Sequence, residues 1–229
     1  MIRSLLRRAL RRLGILGLAR RMLGRERPAP HGHGLLVRLL PSLTADRGAY
    51  VVEVGSTREK LPGQGSTVVL AELCSRLGLR FVTVDMDPQN TEQARRDLLA
   101  FPEARAVNAR GEEFLASFVE PIVAAYLDAF DIDHGHHSTK RIERYRQLLA
   151  TEITNEACAQ MHLECARALL TRVVEGGVVA VDDTWSEEGG AYGGKGATAV
   201  PYLLDEGWQI IASTRTAVAL QRPRLAARG

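Results

Sequence analysis

Cysteine is scarce in this chain of 229 residues. The three present, Cys74, Cys158 and Cys165, are too few and too scattered for a disulfide framework, which fits a reducing cytoplasm. Long apolar runs are missing as well. No stretch approaches about 18 uninterrupted apolar residues, so no transmembrane helix is expected. Lysine is nearly absent, with Lys60, Lys140 and Lys195 set against 27 arginines, which we read as a coding bias. The dinucleotide fingerprint G-x-G-x-x-G does not occur, so a pyrophosphate cradle has poor support. Internal repeats are absent too. What is present is ordinary: 45% hydrophobic and 25% charged residues describe a folded chain, not a disordered or fibrous one.

The net charge of +3 hides an asymmetry. Residues 1–27 hold nine arginines and one acid, Glu26, whereas the remainder holds 21 basic and 26 acidic residues. The acidic balance of the body argues against a broad nucleic-acid surface. Ile2, Leu5, Leu6, Ala9, Leu10, Leu13 and Leu16 recur at helical spacing, with Arg3, Arg7, Arg8, Arg11 and Arg12 opposite. Residues 1–27 are thus expected to form a basic amphipathic helix, suited to an anionic membrane interface. Binding to anionic liposomes tests that expectation. A mitochondrial transit peptide has a similar composition, and a helix packed on its own domain is the plainer alternative. Residues 28–47 read as linker and lead-in helix. The stretch Arg27–Gly34 looks like linker by composition, and His31 and His33 in it read as solvated.

From residue 48 to 229 strand and helix signals alternate. Strands are predicted at Tyr50–Val54, Phe81–Asp85, Ala104–Ala109, Val123–Asp128 and Val178–Asp182. Helices are predicted at Thr67–Leu77, Thr91–Ala100 capped by Asn90, Glu112–Val119, about Lys140–Val174, and Gly196–Glu206. Gly176-Gly177 is expected to end the long one. Trp208–Ala212 and Ala217–Gln221 predict a terminal antiparallel hairpin. The pattern predicts an α/β, Rossmann-like, doubly wound sheet, seven-stranded and mostly parallel.

In such a sheet ligands bind outside the carboxyl ends of the strands. Four exits carry acids: Glu53-Val54-Gly55-Ser56, Asp85-Met86-Asp87, Asp128-Ala129-Phe130-Asp131 and Asp182-Asp183. Clustered carboxylates repel, and a metal or a multi-hydroxyl ligand would relieve them. The glycine of Glu53-x-Gly55 allows close backbone approach to a ligand. Asp85, ending strand two, can accept hydrogen bonds from ribose hydroxyls. Histidines cluster in Asp131-Ile132-Asp133-His134-Gly135-His136-His137-Ser138, where base, metal-ligand and solvated-loop readings all stand open. Ser138 is a candidate helix cap. Cys158, Met161, His162 and Cys165 share a helix face, read as core in preference to a soft-metal site. The glycine-rich loop after Trp185 reads as a lid or a mobile surface loop, and Lys195 in it is a candidate substrate contact.

An acid-x-Gly turn with a strand-two acid, and no pyrophosphate glycines, resembles the S-adenosylmethionine site of Rossmann-like (class I) methyltransferases. Ala125-Tyr126-Leu127-Asp128 and Gly177-Val178-Val179-Ala180-Val181-Asp182-Asp183 further resemble metal-dependent O-methyltransferases of the catechol and macrocin sugar type. The resemblance covers about residues 48–221. It implies S-adenosylmethionine held by Glu53, Gly55, Ser56 and Asp85, with Glu112 near the adenine. It also implies Mg²⁺ held by Asp128, Asp182 and Asp183, and methyl transfer to a hydroxyl of a sugar, glycan or natural product. Catechol-type enzymes carry a lysine base three residues past the strand-four acid. Here that position is Asp131, so His134, His136 or His137 is the expected base. The partners expected are the small-molecule or glycan acceptor, an anionic membrane at the inner face through residues 1–27, and a second copy of the chain. Two further readings stay open: a metal-dependent oxygenase or hydrolase using the Asp/His cluster, and a noncatalytic methyltransferase-fold protein anchored by its N-terminal helix.

Overall fold

The computed structural model describes residues 31–43, 46, 48–58, 65–150 and 152–224. The predicted basic helix at 1–27 therefore lies outside the described residues. No described helix is long and apolar enough to cross a membrane.

Nine strands and seven α-helices follow in chain order among the described residues. They are α1 (His33–Leu39), β1 (Tyr50–Val54), α2 (Ser66–Leu77), β2 (Arg80–Asp85), α3 (Pro88–Asp97), β3 (Ala104–Asn108), α4 (Gly111–Ser117), β4 (Ile122–Leu127) and α5 (Thr139–Leu149), then α6 (Asn155–Arg172), β5 (Val173–Val181), β6 (Thr184–Ser186), β7 (Tyr192–Gly194), α7 (Ala199–Asp205), β8 (Gln209–Ser213) and β9 (Val218–Gln221). The main sheet has seven strands in the order β3-β2-β1-β4-β5-β9-β8. The first five run parallel, and β9 pairs antiparallel with both β5 and β8. This is the predicted architecture, including the terminal hairpin. The chain order reverses between β1 and β4, which sets a crevice at their carboxyl ends.

The apolar runs become strands because both faces of the sheet are covered. All six residues of β4 are buried. On one face Val52, Val54, Val84 and Leu127 pack with Leu115 of α4, Leu169 of α6 and Leu203 of α7. On the other, Val51, Phe81 and Tyr126 pack with Leu35 and Leu36 of α1 and with Leu70 and Cys74 of α2. Each fully buried side chain of this size contributes roughly 1.5–3 kcal/mol relative to exposure. The helix α1 thus belongs to the core, with its first residue His33 buried and Gly32 just ahead of it buried too.

Several boundaries differ from expectation. The helix α3 starts at Pro88, because the Asp87 side chain accepts from the Gln89 N–H at 2.8 Å. Proline at the first helical position fits that cap, and Asn90 instead donates to Asp85. The long helical region is two helices, separated where Ala150 takes a left-handed φ of 51°. Gly176-Gly177 does not end a helix but lies inside β5. The pairing there slips between Ile122↔Val173 and Ala124↔Val178, and a Cβ on Gly177 would sit 2.8 Å from the Val123 carbonyl oxygen. The pair marks a bulge against a neighbouring backbone. The loop after Trp185 is a small antiparallel hairpin, β6 with β7.

Gly55 is fixed by geometry. Its φ is +98°, and a Cβ there would lie 2.5 Å from the Asp128 carbonyl oxygen. The exits of β1 and β4 cross at this point. Gly55→Ala is therefore expected to lower the unfolding free energy by roughly 1–3 kcal/mol, read from the urea midpoint. An unchanged midpoint would contradict the crossing.

Candidate active site

Two adjoining cavities open at the switch point. The inner one has a volume of about 340 Å³. Its floor is the Gly55-Ser56 turn and the Asp85-Met86-Asp87 exit, and its walls include Arg110, Gly111, Glu112, Phe130, Tyr145 and Met161. That mix of apolar walls and a few placed polar groups is typical of a small-molecule site. A Cβ on Gly111 would lie 2.1 Å from Val54 Cγ1, so the chain leaving β3 must pass close against β1. Glu112 accepts from the Arg110 guanidinium at 2.8 Å.

Asp85 sits at the centre. Its Oδ1 accepts from the Asp87 N–H at 2.8 Å. Its Oδ2 accepts from the Ser56 N–H at 3.1 Å and from the Asn90 amide at 3.2 Å. Three of about four lone pairs are thereby taken, which leaves one for a ligand hydroxyl, with Asn90 beside it on the cavity wall. Burial pushes the Asp85 carboxyl upward, while these same bonds pull it back. Ser56 is buried, its hydroxyl 2.8 Å from that of Thr83.

Glu53 does not line either cavity. It is fully buried beneath the turn and accepts from the Thr67 hydroxyl at 2.6 Å. Its place in β1, flanked by Val52 and Val54, turns its side chain to the opposite face from theirs, under α2. It ties the first turn of α2 to β1.

The outer cavity, about 840 Å³, is more polar. His31, His33, Tyr126, Asp128, Asp182, Asp183 and Lys195 form its base, and His134, His136 and His137 stand on its rim. The His134 and His137 rings lie 4.0 Å apart. His137 Nε2 is 3.0 Å from the Ile132 carbonyl oxygen. Ser138 caps α5 as expected, accepting from the Arg141 N–H at 3.2 Å.

The strand-end acids converge, but protein donors occupy them. The Lys195 ammonium is 2.5 Å from Asp128 Oδ1 and 3.0 Å from Asp183 Oδ2. Asp182 accepts from the Gly32 and Asp183 N–H groups, each at 3.0 Å, and from the Tyr126 hydroxyl at 2.5 Å. His31 Nδ1 lies 3.5 Å from the same carboxylate. Burial pushes Asp128 upward, yet the charge and hydrogen bond of Lys195, the Arg58 charge and the Tyr126 hydroxyl together outweigh it and hold that carboxyl below its ordinary range. Asp182 is raised, by burial and by the charge of Asp128. Burial alone would lower Lys195, and the two carboxylates more than reverse this. Two exit residues, Phe130 at φ 58° and Asp183 at φ 43°, hold left-handed backbone without being glycine. Strain of this kind collects at functional sites.

A magnesium ion was expected on Asp128, Asp182 and Asp183. The donor set as folded does not fit one. The Lys195 ammonium already lies between Asp128 and Asp183 and would repel a dication, while the Tyr126 hydroxyl and two backbone N–H groups hold Asp182. Among the described residues no group of three or more His, Cys, Asp or Glu is arranged to hold a metal ion.

The remaining candidates resolve simply. Asp131 binds Arg58 at 3.1 Å and also pairs with Arg141. Asp87 pairs with Arg144. These pairs hold α5 over the inner cavity. Cys158, His162 and Cys165 are buried within α6, with His162 Nδ1 2.8 Å from the Cys158 carbonyl oxygen, so the face is core as expected. Lys195, a candidate substrate contact by sequence, does border the outer cavity but is held between two carboxylates, and Gly32 and His31, which read as linker, contact Asp182. One signal for Lys195 was available: a lysine between two glycines in a chain that otherwise uses arginine.

No protein-family model and no curated protein matches the chain. Solved structures do. A protein assigned as an rRNA methylase from Clostridium thermocellum superposes with a TM-score of 0.56 at 14% identity, over 83% of this chain and 96% of that one. An rRNA methylase from Streptococcus thermophilus gives 0.52 at 15%, over 87% and 99%. A protein assigned as a methyltransferase from Streptococcus mutans, in complex with S-adenosylhomocysteine, gives 0.53 at 16%, over 86% and 98%. The chain therefore has the Rossmann-like methyltransferase fold. These likenesses do not single out the metal-dependent O-methyltransferases.

Burial pushes Glu53 from 4.5 up to about 7, against the pull of the Ser66, Thr67 and Thr83 hydroxyls. A folded-state value above the unfolded one means that the protonated form is favoured by folding. That stability is present below about pH 4.5 and is lost as pH rises through about 7, to a total of about 3 kcal/mol. Unfolding free energies measured across this window should fall with pH in the wild type and much less in Glu53→Gln. Parallel slopes would contradict the burial of this carboxyl.

Proposed function

We propose that this chain is an S-adenosylmethionine-dependent methyltransferase acting on a hydroxyl of a sugar, glycan or natural product. The observation that carries the reading is the inner cavity at the strand-order switch, with Asp85 facing it beside the Gly55 turn. Asp85 and Asn90 would hold the ribose hydroxyls. The Gly55-Ser56 backbone and the exit at Asp128 would border the amino-acid end, and Gly111-Glu112 the adenine. The site suits a ligand with ribose and no phosphates, because the glycines that cradle a pyrophosphate are missing.

The bound cofactor supplies an electrophilic methyl group on a sulfonium. The chain's own part is to place an acceptor oxygen in line with it and take up the proton, and alignment accounts for much of the acceleration. The outer cavity adjoins the inner one through Ser56, Arg58, Asp87 and Asp128, which line both. We assign the acceptor to it. One of His134, His136 and His137 on its rim would receive the hydroxyl proton. An RNA acceptor, as in the descriptions of two of the solved structures, suits this chain less. Its body carries more acids than bases.

Calorimetric titration with S-adenosylmethionine and S-adenosylhomocysteine tests the reading. The wild type should bind both in the micromolar range. Asp85→Ala should weaken binding by about tenfold or more, the usual cost of a lost hydrogen bond to a charged group. A folded wild type that binds neither would overturn the proposal.

A further inference from the structure

The geometry points to Lys195 as the resident cation of the acceptor cavity. We propose that its ammonium takes the place between Asp128 and Asp183 that a divalent ion would fill, and offers its remaining N–H to an acceptor oxygen. The second half of this statement rests on the methyltransferase reading, while the first stands without it.

The chain builds this position from close backbone approaches. Lys195 follows the β6–β7 hairpin, and its own N–H donates to the Asp183 carbonyl oxygen at 3.0 Å. Gly194 before it has φ +73°, and a Cβ there would lie 1.9 Å from that same carbonyl oxygen. A Cβ on Gly196 after it would lie 2.4 Å from Thr184 Cγ2. A side chain at 194 would push the hairpin away from the end of β5, and one at 196 would press on Thr184 within the hairpin. The Gly-Lys-Gly sequence therefore brings the lysine backbone against the end of β5, and its side chain reaches back to the end of β4.

The side chain is only 4% exposed, yet it borders the outer cavity. A buried ammonium without partners would be strongly destabilising, and here two carboxylates offset that penalty. An ammonium has three donors, and two face Asp128 and Asp183. The third is left for an oxygen in the cavity. A dication would have to displace the lysine from both carboxylates. The lysine thus does what a metal would do for the acids, and the acceptor meets a positive charge fixed by the chain.

Manganese titration of the full-length chain, followed by electron paramagnetic resonance, tests this without relying on turnover. The wild type should show no saturable binding in the millimolar range. Lys195→Met should gain one site per chain, with affinity at least about tenfold tighter. Lys195→Arg, which keeps the positive charge, should remain without a site. If Lys195→Met does not fold, Lys195→Gln replaces it, since it keeps a donor but loses the charge. Saturable one-per-chain binding by the wild type would overturn the proposal, as would a folded Met or Gln variant that gains none. S-adenosylhomocysteine titrated in parallel separates the two readings: its failure to bind the wild type strikes the methyltransferase assignment and leaves the metal result standing.

Discussion

Negative charge at the carboxyl ends of the strands is the constraint around which this structure is arranged. Parallel pairing brings Asp128, Asp182 and Asp183 to one edge, with Glu53 and Asp85 one and two strands away. Left alone they would repel one another and disfavour the fold. Each is answered by a donor from elsewhere in the chain. Lys195 comes from the hairpin after β5, Tyr126 from within β4, and the Gly32 N–H from the segment ahead of α1. The Gly32–Asp182 contact joins residues 150 positions apart. Neutralising the acids therefore docks two peripheral segments onto the sheet, and those segments become walls of the outer cavity.

The same logic operates over the inner cavity. Asp87 and Asp131 are matched by Arg144, Arg58 and Arg141, so that α5 is held above the space by arginine–carboxylate pairs. Arginine suits this because its planar fork engages a carboxylate through two donors. At the base, where one point charge must serve two carboxylates, a lysine is used instead. The outcome is a division of labour between an inner pocket centred on Asp85 and an outer, more polar one facing a fixed cation.

Much of the fold could be read from apolar runs, because a strand covered on both faces has few other ways to be written. The runs at Val51–Val54, Phe81–Val84 and Ile122–Leu127 are such cases. The exit acids could be read too, since they follow directly on those runs. What could not be read depends on contacts distant in sequence. Ala150 carries no helix-breaking signature, and the split between α5 and α6 is marked in the sequence only by Thr154, which caps α6 by accepting from the Ala157 N–H. Gly176-Gly177 resembles a helix end and is a bulge, because glycine serves both uses. His31 to Gly34 has the composition of a linker, but Leu35 and Leu36 anchor it and Asp182 binds its backbone. The partners of the three aspartates were equally hidden: a metal and a lysine answer the same charge, and only the hairpin geometry decides between them.

A crystal structure of the protein with S-adenosylhomocysteine is the most direct test of the account. It should show the nucleoside in the inner cavity, a ribose hydroxyl on Asp85 and the adenine beside Gly111-Glu112, with the Lys195 ammonium still between Asp128 and Asp183. A ligand bound elsewhere, or a lysine displaced from the two carboxylates by a metal ion, would contradict it.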